Sequence, residues 1–524
     1  MRKTILVRNA FSLAILAGAC IASAQSAWTT VVNNSSVMPG TNATFNSYNQ
    51  PSVNAFGDVV FRARSKGGNG GEPTHGIYLR DMLRRTQTVR IFDRSSAVPQ
   101  PDNTGATFTE FPSFPRIDLL SPTLATRGSS KPVWNYQLAD GSDTKTGTSG
   151  VYVVRNGTPL TAASQLGAVP GYSRFQVPGE NVALKFDQFP GAPAITGNLL
   201  VFKGNYTDES LSKTGVYFRD FTARKGLDPI QRIADTSTLI PNRRSGSAQA
   251  FGATAPPSAA FGLAVFTAWD DEDTPTMGGI YRAPLRANPA LTTIVGIGSQ
   301  VPGEASGVTF KNFGENLSFD GRFLAFWGSW GTEQRDVTLP CPTDGNKDLI
   351  AYCNSLYPSG VTTMSVPKHQ GIFVYDSITR RITPLAKSPT NFDDFLYWVF
   401  SGKPPGTGGS ESEDGEPARW RSSAFNAVSG RLFSFQAIFK AHKDKGPVDG
   451  IYHVNGPSRP SITTILDTTM SGQTVDRSAP AGSTITALGI EREGLRVGWL
   501  AITASMLNPE TSESWGGIYI KYLP

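Results

Sequence analysis

The stretch WGGIYIKYLP, residues 515–524, decides the fold, because its Gly-Ile-Tyr is not unique. A glycine, a branched aliphatic residue and an aromatic follow one another from Gly76, Gly150, Gly215, Gly279, Gly371, Gly450 and Gly517. Self-similarity at long spacing marks a repeat architecture, so it is read before anything else. Before most copies lies an apolar run ending aromatic-x-small: VVFRA at Phe61, LVFKG at Phe202, AVFTA at Phe266, LAFWG at Phe326, FSFQA at Phe435 and VGWLA at Trp499. In the second unit the run is degenerate, PVWNYQLA, which places Trp134, like Trp499, in a core strand. Residues two apart share one face of a strand, so the aromatic fills space and the small residue admits a neighbouring layer.

A short segment with a Gly turn precedes each run, as in PSVNAFGD and NLSFDGR. A β-branched strand follows each triplet: TQTVRIF, PIQRIAD, LTTIVG, RRITPLA and SITTIL. Asn156-Gly157 and Asn455-Gly456 are favoured two-residue hairpin turns. Each unit therefore holds four strands, a to d, and four-stranded sheets repeated radially are propeller blades. The expected fold is all-β, a seven-bladed propeller. The last unit ends on its c strand, and AWTTVVNN, residues 27–34, has the d pattern. Pairing the two would close the ring and remove an exposed sheet edge.

These features resemble the seven-bladed propellers of the broad TolB-like and WD40-like class; GIFVYDSITRRITPLA (371–386) resembles a TolB-type c–d hairpin. Nearly all seven units also resemble a family of secreted bacterial repeat proteins with F-x-A…GIY units and a V-P-G after strand d. That motif shows here as Val169-Pro170-Gly171, Val301-Pro302-Gly303 and the near match Met38-Pro39-Gly40. The repeat family brings no catalytic residues to carry over, and the TolB-like resemblance implies partner binding.

Residues 1–24 read as an export leader: Arg2, Lys3 and Arg8, a short apolar run from Phe11 to Ile21, and Ala22-Ser23-Ala24 as a cleavage site. Residues 25–524 are then a single propeller domain, periplasmic or extracellular. The formal charge of +6 drops to +3 without the three leader cations, so charge gives no argument for nucleic acid. No run is long and apolar enough to be a transmembrane segment. In an oxidising compartment Cys341 and Cys353 read as one disulfide.

The b–c and d–a connections of a propeller emerge on one face, and the a–b and c–d turns on the other. The long insertions fall on the first face: 331–370 with both cysteines, 387–419 with SESEDGEP, and the tip WDDEDTPTMG. Long loops carry function, which assigns the working surface to this side. Its acids include Asp270, Asp271, Glu272, Asp273, Glu411, Glu413, Asp414 and Glu416. The opposite face carries Arg84, Arg85, Arg224, Lys225, Arg286, Arg380 and Arg381, which read either as solvated turns or as a surface for an anionic envelope polymer.

Asp270, Asp271 and Asp273 offer oxygen ligands for Ca²⁺, the one cofactor considered, or form a plain acidic hairpin tip without the Gly and distal Glu of an EF-hand. Trp330, Trp398, Trp420 and Trp515 lie in or beside loops, either as stacking platforms for a ligand or as caps on the blade cores. His75 and His369 precede triplets in different units; with His442 and His453 they read as hairpin histidines or as parts of a metal site. No Gly-x-Ser-x-Gly elbow, Walker loop or dinucleotide fingerprint is present. The expected function is a non-enzymatic binding module for a protein or glycan partner at the cell envelope. The alternative is a carbohydrate-active enzyme, a polysaccharide lyase or glycoside hydrolase, acting on the loop-rich face.

Overall fold

The computed structural model describes residues 27–524 apart from 68–72, 101–104, 132, 134, 139, 145–148, 181, 223–227, 242–247, 287–288, 344, 406–416, 432, 444–447 and 458–459. The expected leader lies outside the described residues, as do Trp134, Arg224, Lys225 and the acids of SESEDGEP. Seven antiparallel sheets of four-stranded pattern form the blades. Their innermost segments touch in order around a ring: Ser52–Val53, Arg116–Ile117, Ala194–Thr196, Ser258–Ala260, Ser318–Phe319, Asn426–Gly430, Leu495–Arg496, and back to the first.

The ring closes as the repeat requires. Thr29–Asn33 pairs antiparallel with Ser514–Tyr522, setting Thr29 opposite Ile520 and Asn33 opposite Gly517. One further feature makes it a true d strand. In every blade the d strand carries one extra residue opposite the triplet, a β-bulge. The extra residues are Ile91, Ala162, Ile233, Ile294, Leu385 and Ile465, and in the N-terminal strand Val31. The closure is fastened from outside by Asp476. Its Oδ2 accepts from Asn33 Nδ2 at 2.8 Å, Trp515 Nε1 at 3.0 Å and the Tyr519 hydroxyl at 3.1 Å.

The triplet has a steric cause. At Gly150, Gly215, Gly371, Gly450 and Gly517 the aromatic ring folds back over the glycine two residues earlier on the same strand face, and at Gly76 and Gly279 a d-strand carbonyl, of Phe92 and Val295, stands nearest at 2.2 Å. A Cβ on Gly517 would stand 2.6 Å from the Tyr519 hydroxyl, and one on Gly450 2.6 Å from that of Tyr452. The small residue of the b strand lies opposite that glycine in all seven blades: Ala63 on Gly76, Gly128 on Gly150, Gly204 on Gly215, Ala268 on Gly279, Gly328 on Gly371, Ala441 on Gly450 and Ala504 on Gly517.

This register corrects three sequence assignments. In blade 6 the aromatic-x-small element is Phe439-Lys440-Ala441, four residues after Phe435; Phe439 faces Tyr452 with ring centroids 5.8 Å apart. In blade 7 it is Ile502-Thr503-Ala504, and Trp499 packs on the other face, towards blade 1. In blade 2 the b strand is Leu124–Ser130, and the described part of PVWNYQLA follows it, with a small hairpin of Tyr136–Gln137 and Asp143–Thr144. The turn chemistry differs at one site as well. Asn156 and Gly157 take positive φ as a two-residue hairpin needs, whereas Asn455-Gly456 continues the strand Val448–Gly456.

Both faces of each blade are apolar and packed on the neighbouring blade, giving separate buried clusters between sheets. The centre is different: it is charged. Residues 489–496, Gly-Ile-Glu-Arg-Glu-Gly-Leu-Arg, cross the channel and reach all six other blades. Glu493 accepts from Ser52 Oγ at 3.2 Å, and Glu491 pairs with Arg116 at 2.5 Å. Arg492 donates to the carbonyls of Ala192 (3.1 Å) and Pro256 (3.2 Å), and its own carbonyl accepts from Ser318 Oγ at 2.5 Å. Arg496 donates to the Val428 carbonyl at 3.2 Å. Arg116, Glu491, Arg492, Glu493 and Arg496 are all buried. Buried charge persists only when paired or hydrogen-bonded, and spanning the ring gives each of these charges a partner, although Arg116 Nε and Arg492 Nε are left without a hydrogen bond.

Candidate functional site

On the loop-rich face the b and c strands of blade 5 run far beyond the sheet. Phe323–Pro340 pairs with Val361–Asp376 out to Pro340 opposite Val361. Beyond that end the chain forms the helix Lys347–Leu356, whose Asn346 cap accepts from the amides of Asp348 and Leu349. The expected disulfide is present: Cys341 and Cys353 are bonded, with Cα atoms 5.9 Å apart, tying the helix to the arm. Against it packs a second hairpin, Leu396–Ser401 with Arg419–Ala424, from the 387–419 insertion. Phe400 and Trp420, 5.4 Å apart, close an aromatic cluster over the disulfide with Leu349, Tyr352 and Tyr357.

Polar contacts fix this platform to the ring. Arg335 on the arm pairs with Asp394, which also accepts from Gln370 Nε2 at 2.8 Å and from the amides of Phe395 and Leu396. Arg419 on the hairpin reaches blade 4, to Glu272 at 2.7 Å and Asp273 at 3.1 Å.

That contact shows how the acidic tip is used. Asp270 accepts from the amides of Asp271, Thr276 and Met277, and Asp271 from those of Asp273 and Thr274. Burial works against the charge on Asp270, but these bonds and the Thr276 hydroxyl hold its carboxyl below the usual range. Asp270 and Asp271 thus shape the hairpin, and Asp273 with Glu272 receives Arg419. Among the described residues no group of three His, Cys, Asp or Glu side chains is placed to hold a metal ion.

The other candidates lie apart. Trp330 is buried, stacked on His369 at 6.2 Å and edge-on to Phe373, capping blade 5. Trp398 packs on the core between blades 5 and 6, and Trp420 belongs to the platform cluster. His369 is half-buried, 3.8 Å from Glu333. His75 is buried in blade 1, its Nε2 3.1 Å from the Thr109 carbonyl, and burial pushes its pKa down. His453 is buried in blade 6, pushed down to about 4 by burial and by Arg431.

One cluster was not legible in the sequence. Where the hairpin meets blade 6, the Tyr397 hydroxyl donates to Asp449. Lys440 Nζ lies 3.3 Å from the other oxygen of Asp449 and 3.8 Å from the centre of the Tyr397 ring. His442 stacks on Tyr397 at 4.2 Å, with Nδ1 3.9 Å from Asp449. Burial pushes the Lys440 ammonium down against the pull of Asp449, and burial with Asp449 pushes the Tyr397 phenol well up. A hydroxyl, an imidazole and an ammonium thus converge on one carboxylate. No spacing signalled it, because Tyr397 comes from an insertion and the other three from blade strands.

No protein-family model matches the chain, and no curated protein matches it. Solved structures similar to it include the β-propeller domain of the Trilobed protease from Pyrococcus furiosus, at 10% identity over 92% of this chain and 97% of that one, TM-score 0.39. Polysaccharide lyase Uly1 matches at 9% identity over 95% and 98%, TM-score 0.40. The periplasmic gluconolactonase PpgL of Pseudomonas aeruginosa matches at 11% identity over 84% and 95%, TM-score 0.29. Likenesses this distant say nothing of activity.

Proposed function

We propose that the protein is a non-enzymatic binding module that engages a protein or glycan partner at the cell envelope through the platform on its loop-rich face. The observation that carries this reading is the bracing of that platform. An arm, a capped helix, a disulfide, an aromatic cluster and two ion-paired ties hold the longest insertions in one place. A mere connection needs none of these, whereas recognition residues gain from a rigid support. The arm offers a row of short polar groups, with Asp336 opposite Ser365 and Thr338 opposite Thr363. Such side chains suit sugar hydroxyls or a polar protein surface. The channel segment 489–496 supports the same reading, because it fills the axial opening with paired charges and leaves recognition to the loops.

The test is a glycan and protein-partner binding screen on the chain from Gln25, with and without Ca²⁺, alongside an assay for polysaccharide breakdown. Saturable binding without product supports the proposal. Release of reducing ends or unsaturated sugars contradicts it.

A second reading, a carbohydrate-active lyase or hydrolase, draws on the Tyr397–His442–Lys440–Asp449 cluster. It supplies a proton donor held protonated, an imidazole and a cation at the edge of the platform. Breakdown activity lost in both Tyr397→Phe and His442→Ala would favour it.

A further inference from the structure

We propose that the face opposite the platform docks on an anionic lipid bilayer surface. Its a–b turns surround the channel mouth, and five of the seven present an apolar side chain to solvent: Phe56 at 42% exposed, Leu120 at 45%, Phe261 at 49%, Phe433 at 88% and Val497 at 38%. The three phenylalanines are the exposed aromatic side chains of their kind among the described residues, and all lie here. Phe261 and Val497 hold φ of 50° and 48°. Glycine fills such positions at less cost, and a β-branched residue there is an outlier. Phe261 also packs on Gly321, so at Val497 above all the strain kept while an apolar group is shown to water points to use of that group.

The c–d turns share this face. A c–d backbone amide donates to an a–b turn carbonyl in blade after blade: Met82 to Gly57, Phe221 to Asn198, Leu285 to Gly262, Ser377 to Arg322 and Leu523 to Gly498. These outer turns carry exposed Arg84, Arg85, Arg286, Arg380 and Arg381. Of the nearby carboxylates Asp81 pairs with Arg84 and Asp376 with Arg322, whereas Asp220 accepts only from Thr222 and Asp228 is exposed, so the cationic excess of the face rests on Arg85, Arg286, Arg380 and Arg381. The face therefore has apolar tips at its centre and guanidinium groups around them.

That arrangement fits a bilayer better than a folded protein. Phe261 lies against Gly321 of the next blade's turn, and the other apolar groups stand on separate turn tips and line no groove, as side chains entering a headgroup layer do. Arginine matches phosphate with two parallel donors, and anionic leaflets attract clustered cations. No helix among the described residues is long and apolar enough to cross a membrane.

The test is flotation of the chain from Gln25, which contains the whole closed ring, with phosphatidylglycerol/phosphatidylcholine vesicles and with phosphatidylcholine alone. The expected result is flotation with the anionic vesicles at about 0.1 M salt and release at about 0.5 M. Arg380→Glu with Arg381→Glu lowers the partition by about twentyfold or more. Phe433→Ser weakens it, and Phe433→Trp shifts its emission to the blue on anionic vesicles only. Thermal melts check that each variant keeps the ring. Equal binding to neutral vesicles, no flotation at low salt, or self-association in solution that Phe433→Ser abolishes would each overturn the proposal.

Discussion

Arg116 of blade 2 and Glu491 of blade 7, 375 residues apart in sequence, meet at 2.5 Å in the centre of the ring. Glu493 stands 3.3 Å from the same guanidinium. Removing one partner of a buried pair leaves the other charged and dry, which costs about 3–5 kcal/mol. Arg116→Met is expected to lower the urea midpoint accordingly. Adding Glu491→Gln recovers part of the loss, since one orphaned carboxylate is then gone. A single variant as stable as the parent would show that the central charges do not hold the blades.

The N-terminal strand depends on Asp476. Burial works against its charge, but the donors Asn33, Trp515 and Tyr519 outweigh it and hold the carboxyl below the usual range. A lowered carboxyl contributes stability above its unfolded pKa of about 4 and loses it as pH falls through the lower folded value. Asp476→Ala is expected to cost about 3 kcal/mol. The loss should appear first as faster hydrogen exchange at Val31 to Asn33, the strand that closes the ring.

His453 sets a second, milder window of acid sensitivity. Its folded pKa near 4 lies below the unfolded value. The unfolded chain therefore takes up the proton first, and stability falls as pH drops from about 6.5 towards 4, by about 3 kcal/mol in all. His453→Gln should flatten this part of the stability profile, measured by denaturant unfolding at stepped pH. An unchanged slope would place the sensitivity elsewhere.

Gly517→Ala tests the origin of the repeat. The added methyl meets the Tyr519 hydroxyl and the Val32 carbonyl, each 2.6 Å away. Overpacking of this kind costs about 1–3 kcal/mol. Gly314→Ala, whose added methyl meets nothing nearer than the Trp327 side chain at 3.5 Å and whose backbone lies outside the left-handed region, is the control for the glycine change itself. Equal effects on thermal melting would remove the steric account of the triplet.

The triplet was readable because a glycine and the aromatic two residues later sit on one strand face, and that spacing survives in every unit. The b-strand register was less readable. Each blade is buried on both faces, so apolar residues occur at both parities and nothing marks a slip. Phe435 shares a face with Phe439, four residues on, and Trp499 points the other way from Ile502; either passes as the repeat aromatic. The bulge at Ile91 and its six counterparts was hidden for the same reason, because an extra apolar residue in a β-branched strand looks like the strand itself. Nothing in the sequence marks Glu491, Arg492 and Glu493, because their partners lie in other blades. The platform was half legible: insertion length and the cysteine pair located it, but the packing of Trp420 on the disulfide and the meeting of Tyr397 with Asp449 depend on which way each insertion folds.

The most direct test of the account is to remove the arm and helix of the platform, replacing residues 332–368 with a short Asn-Gly turn between Gly331 and His369, and to compare partner binding with the parent chain. The predicted result is a ring that melts cooperatively near the parent temperature and no longer binds the protein or glycan that the parent binds. Undiminished binding by the shortened chain would contradict the account.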